Sequence, residues 1–395
     1  MKKAIVIGCY IGGLGVMRSL KEMGFHIIAL SYDNKDFGYS SKYAHERSKV
    51  PHPGGEEKEF VDFLIKNSAK WRGATLFYPN DEVAVTVSKN GGDLSNYYRI
   101  AVPEWGLLKT FIEKSETYRL AEKCNIPYPR TTFTSTLDDL YKIKDKIVYP
   151  CILKPVISHE FSNRFNSKSF VVNNYDQLLS GFQLSSGSGH AVMVQEIIPG
   201  PDSNIYECSM YINSNGNVTA TFLSRKLRQN PPQFGMARVA ISQNMIPVLR
   251  ESTERLLKEA NFTGIAQAEF KIDPRDNAFK LLDVNVRIFR TVWLATYCGV
   301  NFPWIQYMDL VEGKQVEVTN YKKDVYWIDL CQDIANTIRH HNRENLGPRD
   351  YIKPYLSKHK TFADISTDDF MPFLKQISLW LAKYYMSFKS RVALS

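Results

Sequence analysis

The first thirty residues alternate short apolar runs with a turn rich in glycine. Residues 4–8 (AIVIG) form a continuous, largely β-branched run, which is typical of a strand buried on both faces of a parallel sheet. A Gly-rich turn, a helical stretch around Gly15–Met23 and a second apolar run over His26–Leu30 follow. This order predicts a βαβ unit, and therefore an α/β domain at the N-terminus.

A third strand is predicted over Thr75–Tyr78, and it ends at three polar residues, Asn80, Asp81 and Glu82. Ligands of doubly wound sheets bind at the carboxyl ends of the strands. We therefore expect these three side chains to face a ligand.

The pattern changes after about residue 112. From about 147 to 290 short strands alternate with turns, and one helix, Ile246–Ala260, interrupts them, which indicates an α+β domain. The remainder, from about Tyr321, is rich in aromatic residues and is predicted to be helical. The pattern thus predicts three parts: 1–112, 113–320 and 321–395.

Composition excludes several classes of protein. The chain has 395 residues, of which 44% are hydrophobic, so it can bury a core and is not intrinsically disordered. The six cysteines form no CxxC pair, which disfavours zinc sites and redox dithiols. No apolar stretch approaches the ~20 residues that span a bilayer, so we expect a soluble cytoplasmic protein. The net charge of +9 permits an anionic partner without identifying one.

The glycine-rich turn differs from the dinucleotide-binding pattern GxGxxG. The second residue after Gly8 is Tyr10, which would crowd an approaching pyrophosphate. Asp33 lies close to where an acid for the ribose would stand. A tight strand-to-helix turn is favoured over a nicotinamide or flavin site, and a nicotinamide oxidoreductase is a distant alternative.

A set of charged residues farther along the chain suits the handling of a nucleoside triphosphate. Lysines neutralise phosphate oxygens, and Mg²⁺ prefers carboxylate and amide oxygens together with substrate phosphates. Glu269 and Asp283 fall on adjacent predicted strands, where they could share a metal, and Asn285 lies on the same face as Asp283. The whole set is Lys114, Lys154, Glu196, Arg225, Lys226, Arg228, Glu269, Asp283, Asn285 and Arg287.

The order of these residues over roughly 1–315 resembles the ATP-grasp superfamily, and within it the carboxylate–amine ligases similar to D-aspartate ligase and carbamoyl-phosphate synthase. The resemblance implies an ATP-grasp fold, of mixed α/β and α+β class, with an N-terminal Rossmann-like pre-ATP-grasp domain and a helical C-terminal extension. It further implies ATP with Mg²⁺, or Mn²⁺, as cofactors, and an amide or peptide bond formed through an acyl phosphate. Small-molecule carboxylate and amine substrates would be the partners, without nucleic acid, and a homodimer would be in keeping with the superfamily.

The resemblance also assigns roles residue by residue. Lys114 and Lys154 would hold the ATP phosphates and the adenine side, while Glu207 would lie near the ribose. The resemblance divides 113–320 into two lobes around a hinge near 196–200, where Glu196, Ile197 and Ile198 would bind the adenine edge. Glu269, Asp283 and Asn285 would bind the metal. Arg287 would stabilise charge on the acyl phosphate, and Arg225 and Lys226 would meet phosphate or the substrate carboxylate.

Two departures from the family are visible. The segment 155–168, where relatives have a glycine-rich loop over the phosphates, contains no glycine, although Ser158, Ser162, Arg164 or Lys168 could cover ATP. Gln267 stands where some relatives have a catalytic arginine. A structural ion pair of Glu269 with Arg225 or Arg287 is the alternative to a metal site.

Two questions of function remain open at this point, namely the reaction and the role of the last segment. A ligase that joins an amino acid to a cell-envelope or surface-polysaccharide precursor is favoured. An ATP-dependent carboxylase or carbamoyl-phosphate-forming enzyme, and a nucleotide-binding module without catalysis, are the alternatives. The acid-free segment 370–395, with Lys375, Lys383, Lys389 and Arg391, is either a helix packed on the preceding domain or a basic amphipathic helix on an anionic membrane surface.

Overall fold

The computed structural model describes residues 1–157, 161, 164–165, 169–187, 189–340 and 346–392. The strands are β1 Lys2–Ile7, β2 Phe25–Ser31, β3 Glu46–Lys49, β4 Thr75–Phe77, β5 Thr131–Thr134, β6 Cys151–Pro155, β7 Phe170–Val172, β8 Val192–Glu196, β9 Ile205–Ile212, β10 Val218–Asn230, β11 Met236–Ser242, β12 Gly264–Ile272, β13 Phe279–Asn285, β14 Tyr326–Ile328 and β15 Lys360–Phe362. The α-helices are Ile11–Leu20, Glu57–Lys66, Ser68–Trp71, Asp81–Lys89, Gly91–Leu94, Trp105–Ile112, Lys114–Lys123, Leu137–Ile143, Tyr175–Ser186, Pro247–Glu259, Val292–Tyr297, Phe302–Leu310, Leu330–His340, Pro348–Leu356 and Met371–Val392.

The N-terminal part is a parallel four-stranded sheet in the order β3-β2-β1-β4, as the βαβ pattern predicts. The turn after β1 depends on two glycines. A Cβ on Gly13 would lie 2.1 Å from the carbonyl oxygen of Gly8, and Gly8 itself has a φ of +89°. The glycine-rich turn therefore makes a tight passage from strand to helix, with Ile11–Leu20 beginning directly after it.

A second, antiparallel sheet of four strands, β5-β8-β6-β7, forms a small lobe. The helices Leu137–Ile143 and Tyr175–Ser186 contribute Leu140 and Leu178 to its core, where they meet Leu153 of β6. The chain leaves this lobe through residues 197–204 and enters the third sheet at β9.

The third sheet has seven strands in the order β13-β12-β9-β10-β11-β14-β15. In this order each strand from β13 to β11 is antiparallel to its neighbour. The register pairs Glu269 of β12 with Asp283 of β13 on one side and with Glu207 of β9 on the other. Three acidic residues on three adjacent strands consequently stand side by side across the sheet.

The C-terminal part contains the expected helices and two strands that the sequence pattern did not predict. β14 joins β11, and β15 joins β14, so this part extends the third sheet. It also contacts the N-terminal domain, because the carboxylate of Asp369 accepts hydrogen bonds from Ser41 Oγ at 2.6 Å and Lys42 N at 2.9 Å. The boundaries 1–112, 113–320 and 321–395 remain predictions.

The C-terminal helix Met371–Val392 begins against the N-terminal domain, where Leu379 packs on the core and Gln376 is buried. Phe370, Met371 and Leu374 are exposed. The side chains of Lys383, Lys389 and Arg391 lie outside the described residues. No described helix combines the length and the apolar character that crossing a bilayer requires.

Candidate active site

A cavity of about 550 Å³ opens between the three sheets. It is bounded by the turn after β1, the residues after β4, β6 and β8 of the small lobe, and the third sheet. The predicted site residues that line it are Lys114, Lys154, Glu196, Ile197, Ile198, Glu207, Lys226, Glu269, Asp283, Asn285 and Arg287. Arg225 and Arg228 do not line it, and Arg228 pairs instead with the buried carboxylate of Asp333. Asn80, Asp81 and Glu82, expected at the carboxyl end of β4, also line it.

The three predicted metal ligands each contact a cationic side chain. Lys226 Nζ lies 2.5 Å from Glu269 Oε2, and Lys114 Nζ lies 2.6 Å from Asp283 Oδ1. The amide oxygen of Asn285 accepts a hydrogen bond from Arg287 Nη2 at 2.9 Å. These cations thus neutralise the charge of the carboxylates. When an anionic substrate enters, the same cations could turn to its phosphate oxygens.

The donor atoms of this cluster fit Mg²⁺. Two carboxylates and one amide oxygen, opposite one another on β12 and β13, match the ligand set of a Mg²⁺ ion that also binds substrate phosphates. Among the described residues there is no group of three or more His, Cys, Asp or Glu side chains that could hold a metal by themselves. Glu269, Asp283 and Asn285 would therefore hold the ion together with phosphate oxygens.

Lys226 lies between two carboxylates. Its Nζ is 3.5 Å from Glu207 Oε1 as well as 2.5 Å from Glu269, and Ser224 Oγ donates to Glu207 at 3.1 Å. Burial raises the pKa of Glu207, although the Lys226 ammonium opposes this rise. The predicted role of Glu207 at the ribose remains a prediction, and its neighbours are those of the metal cluster.

Arg225 does not line the cavity, unlike its neighbour Lys226. Successive residues of a strand point to opposite faces, so only one of the pair can face the cavity. The Nε of Arg225 is buried and has no hydrogen-bond partner among the described residues. Its predicted contact with phosphate or substrate is therefore not supported by its position.

Arg287 joins the metal cluster to the N-terminal domain. Its guanidinium forms a two-pronged contact with the carboxylate of Asp81, the first residue of the helix after β4, through Nε and Nη2. Burial disfavours the charge of Arg287, but the Asp81 carboxylate outweighs it and raises the arginine pKa. The ion pair therefore stabilises the approach of the N-terminal domain to β13.

The second predicted phosphate lysine, Lys154, is oriented by a residue that the sequence analysis missed. Lys154 Nζ donates to Gln195 Oε1 at 2.8 Å. The Gln195 amide nitrogen donates in turn to Tyr118 OH at 3.0 Å and to Thr131 Oγ1 at 2.7 Å. The alternation of side chains along β8 could have indicated Gln195, because it is a polar residue at a buried position of a strand.

The hinge carboxylate of Glu196 is held by protein groups. It accepts from the backbone N–H of Arg130 at 2.9 Å and lies 3.0 Å from Arg275 Nη2 and 3.6 Å from Lys280 Nζ. Burial raises the pKa of Glu196, but these partners outweigh it and lower the value overall. The predicted contact of this carboxylate with adenine stays a prediction. Ile197 and Ile198 bring backbone and aliphatic surface to the cavity.

The end of the cavity near the N-terminal domain holds another residue missed from the sequence, Arg290. Its Nε donates to the carbonyl of Ala237 at 2.8 Å, and its Nη2 contacts the Asp329 carboxylate. Burial raises the pKa of Asp329 to about 7, against the opposing effect of Arg290. Asp329 follows β14, so the C-terminal part supports a cavity residue; no motif predicts so distant a contact.

The glycine-free segment 155–168 lies beside Lys154. Ser158, Ser162 and Lys168 are outside the described residues, and Arg164 is described but does not line the cavity. Gln267, at the position of a catalytic arginine in some relatives, lines the cavity and donates to Ser209 Oγ at 3.0 Å.

No family model matches the chain. The sequence is similar to D-aspartate ligase of Enterococcus faecium, with 26% identity over 402 residues that cover 97% of this chain and 93% of that enzyme.

Solved structures show the same fold. The chain is similar to an L-amino acid ligase from Bacillus licheniformis, with a TM-score of 0.61 and 16% identity over 79% of this chain and 74% of that one. It is also similar to N5-carboxyaminoimidazole synthetase from Staphylococcus aureus complexed with ADP, with a TM-score of 0.63 and 14% identity over 82% of this chain and 80% of that one. The fold, the sequence similarity along nearly the whole chain and the residue types of the cavity agree: the chain has the ATP-grasp fold and is similar to ATP-dependent carboxylate–amine ligases.

Proposed function

We propose that the protein activates the carboxylate of an amino acid, with D-aspartate as the first candidate, and joins it to an amine of a cell-envelope or surface-polysaccharide precursor. The observation that carries the proposal is the convergence of Glu269, Asp283, Asn285, Lys114 and Arg287 on one cavity. The similarity to D-aspartate ligase along almost the entire chain supports the choice of amino acid.

The reaction follows two steps. An oxygen of the substrate carboxylate attacks the γ-phosphorus of ATP, so that ADP leaves and an acyl phosphate forms. The amine nitrogen then attacks the acyl carbon, inorganic phosphate leaves, and one proton is released as the amide bond forms. Both steps move negative charge between oxygens, so positioned cations supply most of the catalysis.

The side chains of the cavity suit these steps. Lys114 and Lys154 would neutralise phosphate oxygens, and Arg287 would stabilise the oxyanion that develops when the amine attacks. Mg²⁺ held by Glu269, Asp283 and Asn285 would neutralise the triphosphate. We assign Lys226 to orienting Glu269, since its ammonium contacts that carboxylate.

Hydroxylamine trapping tests the first step without knowledge of the natural amine. Hydroxylamine attacks an acyl phosphate and gives a coloured hydroxamate complex with iron(III). We expect hydroxamate and stoichiometric ADP with D-aspartate and MgATP, and less with L-aspartate, D-glutamate or D-alanine. The Glu269→Gln variant should lose the product. The Glu254→Gln variant should retain it, because Glu254 does not line the cavity and forms an ion pair with Lys258 on the helix Pro247–Glu259.

Other outcomes would point elsewhere. ATP hydrolysis stimulated by bicarbonate without any amino acid would favour a carboxylase or a carbamoyl-phosphate-forming enzyme. ADP binding without turnover in every mixture would favour a nucleotide-binding module. Hydroxamate with another amino acid would keep the ligase chemistry and replace the substrate.

A further inference from the structure

A buried lysine, Lys271, stands at the hinge and has no role in the assignments above. It lies on β12, lines the cavity, and is only 6% exposed. Its Nζ donates to the backbone carbonyl of Ile198 at 2.8 Å and to that of Gly200 at 2.9 Å. The ammonium therefore ties the chain segment between the two lobes to the floor of the third sheet.

The surroundings of Lys271 differ from those of the metal cluster. The cavity carries aliphatic side chains from several elements, namely Ile152, Ile197, Ile198, Ile205 and Leu282. Ile205 is the residue directly opposite Lys271 across the β9–β12 pair. An aliphatic slot with a few polar groups suits a nucleoside, whereas the cluster of carboxylates and cations suits phosphates and metal.

The strand itself sets the distance between these two regions. Glu269 and Lys271 are two residues apart on β12, so they lie on the same face with their Cα atoms about 7 Å apart. Phe270 between them is buried on the other side and does not line the cavity. One strand thus carries a metal ligand and, at the next position on the same face, a hydrogen-bond donor at the hinge.

The Lys271 ammonium has one N–H left over. Lysine has three donors, and within the described part of the chain only the two hinge carbonyls accept from this one. The carboxylates whose charge acts on Lys271 are Asp202, Asp273 and Glu269, and among the described contacts its Nζ donates to none of them.

We propose that Lys271 is a nucleotide-positioning residue, whose ammonium fixes the hinge and donates its remaining N–H to an acceptor atom of the nucleoside of ATP. The proposal depends on the proposed function only in that ATP binds in this cavity. Lys271 would contact the nucleoside and so distinguish a nucleotide from a bare polyphosphate. Lys114 and Lys154 would contact the phosphates that both ligands contain.

Calorimetric titration with two ligands tests this. MgADP contains the nucleoside, and magnesium tripolyphosphate contains only phosphates. We expect Lys271→Met to bind MgADP roughly tenfold more weakly or worse, which is the loss of a hydrogen bond to a charged donor. Its affinity for tripolyphosphate should change less than about twofold, which is below the effect of a lost hydrogen bond. Lys154→Met should weaken both ligands.

The control substitution is Lys3→Met, because Lys3 Nζ also donates to a backbone carbonyl, that of Lys70 at 2.7 Å, far from the cavity. It should leave both affinities unchanged. Thermal unfolding without ligand reports on the fold of each variant. Should Lys271→Met not fold, Lys271→Arg keeps a cation for the hinge carbonyls while filling the space of the nucleoside, and it should show the same selective loss.

Equal loss of both ligands, or unchanged MgADP affinity in a folded Lys271 variant, would overturn the proposal. These results are distinguishable from a failure of the proposed function. In that case the wild-type protein would form no hydroxamate, although it could still bind MgADP with the selectivity described here.

Discussion

Removal of Lys226 provides a test of how much this buried ammonium stabilises the two carboxylates beside it, those of the buried Glu207 and the partly exposed Glu269. Its side chain is 5% exposed, and it lies between Glu207 and Glu269 on β9 and β12. Lys226→Met keeps the length and apolar volume of the side chain and removes the ammonium. It leaves two neighbouring carboxylates without the cation between them, and burial already raises the pKa of one of them, Glu207.

The contacts of Lys226 allow the loss in the free energy of unfolding to be estimated. Breaking a buried ion pair by removing one partner typically costs about 3–5 kcal/mol. Within the described part of the chain Glu207 then keeps the hydrogen bonds from Ser224 at 3.1 Å and from Thr291 at 3.5 Å but no cation, so we expect a loss within that range at pH 8. Urea unfolding followed by tryptophan fluorescence, with variant and wild-type midpoints compared at equal slope, measures it.

The cost should depend on pH in a defined direction. Burial raises the folded-state pKa of Glu207 above its unfolded value, and loss of Lys226 raises it further. The folded state then binds more protons than the unfolded state, so stability falls as pH rises through this interval. The deficit of Lys226→Met should therefore be smaller at pH 5 than at pH 8.

A second substitution provides the control. Glu207→Gln in the Lys226→Met background removes one of the two unpaired charges, and should recover at least about 1 kcal/mol if the residues are coupled. A deficit below about 1 kcal/mol, within the range of exposed ion pairs, or one that is the same at pH 5 and pH 8, would refute the reasoning.

Three further predictions concern separate features. Glu269→Gln should lower the rate of hydroxamate formation by about 10²-fold or more, as expected for loss of an electrostatic catalytic group. Its binding of ADP in the absence of Mg²⁺ should be retained. A rate within threefold of that of Glu254→Gln would contradict the metal assignment. Gly13→Ala should lower the melting temperature strongly, since its Cβ would meet the Gly8 carbonyl oxygen at 2.1 Å; an unchanged melting temperature would mean that the turn can open at little cost. Burial raises the pKa of Asp36 from 3.8 to about 6, and its Oδ2 has no partner among the described residues. Its carboxylate should therefore destabilise the fold increasingly as pH rises from about 4 to 6. The free energy of unfolding of Asp36→Asn in urea should exceed that of the wild type by about 2–3 kcal/mol at pH 8 and by little at pH 4.

The sequence was most informative where chemistry and strand periodicity coincide. Glu269, Asp283 and Asn285 could be placed on one face because alternation along a strand is fixed and the Asp273–Asn277 turn between them marks a hairpin. The parallel N-terminal sheet followed from a β-branched run and a glycine turn for the same reason. Both inferences use only contacts that are local in the chain.

Other features depend on contacts between distant segments. The pairing of Arg287 with Asp81, and of Arg290 with Asp329, requires knowledge of how the sheets meet. β14 and β15 have three residues each, too few for a periodic signal, and they acquire their neighbours only in the folded sheet. Lys271 could have been found by extending the alternation two residues beyond Glu269.

The position of β14 and β15 also bears on the order in which the protein can become active during synthesis. They follow β9 to β13 along the chain, yet they extend the sheet on which β9, β10 and β12 carry Glu207, Lys226 and Glu269. Asp329, whose carboxylate contacts Arg290 in the cavity, follows β14 directly. A nascent chain that ends before residue 326 therefore leaves the edge of β11 unpaired and Arg290 without this carboxylate, so the cavity acquires its full support only after this part has been synthesised.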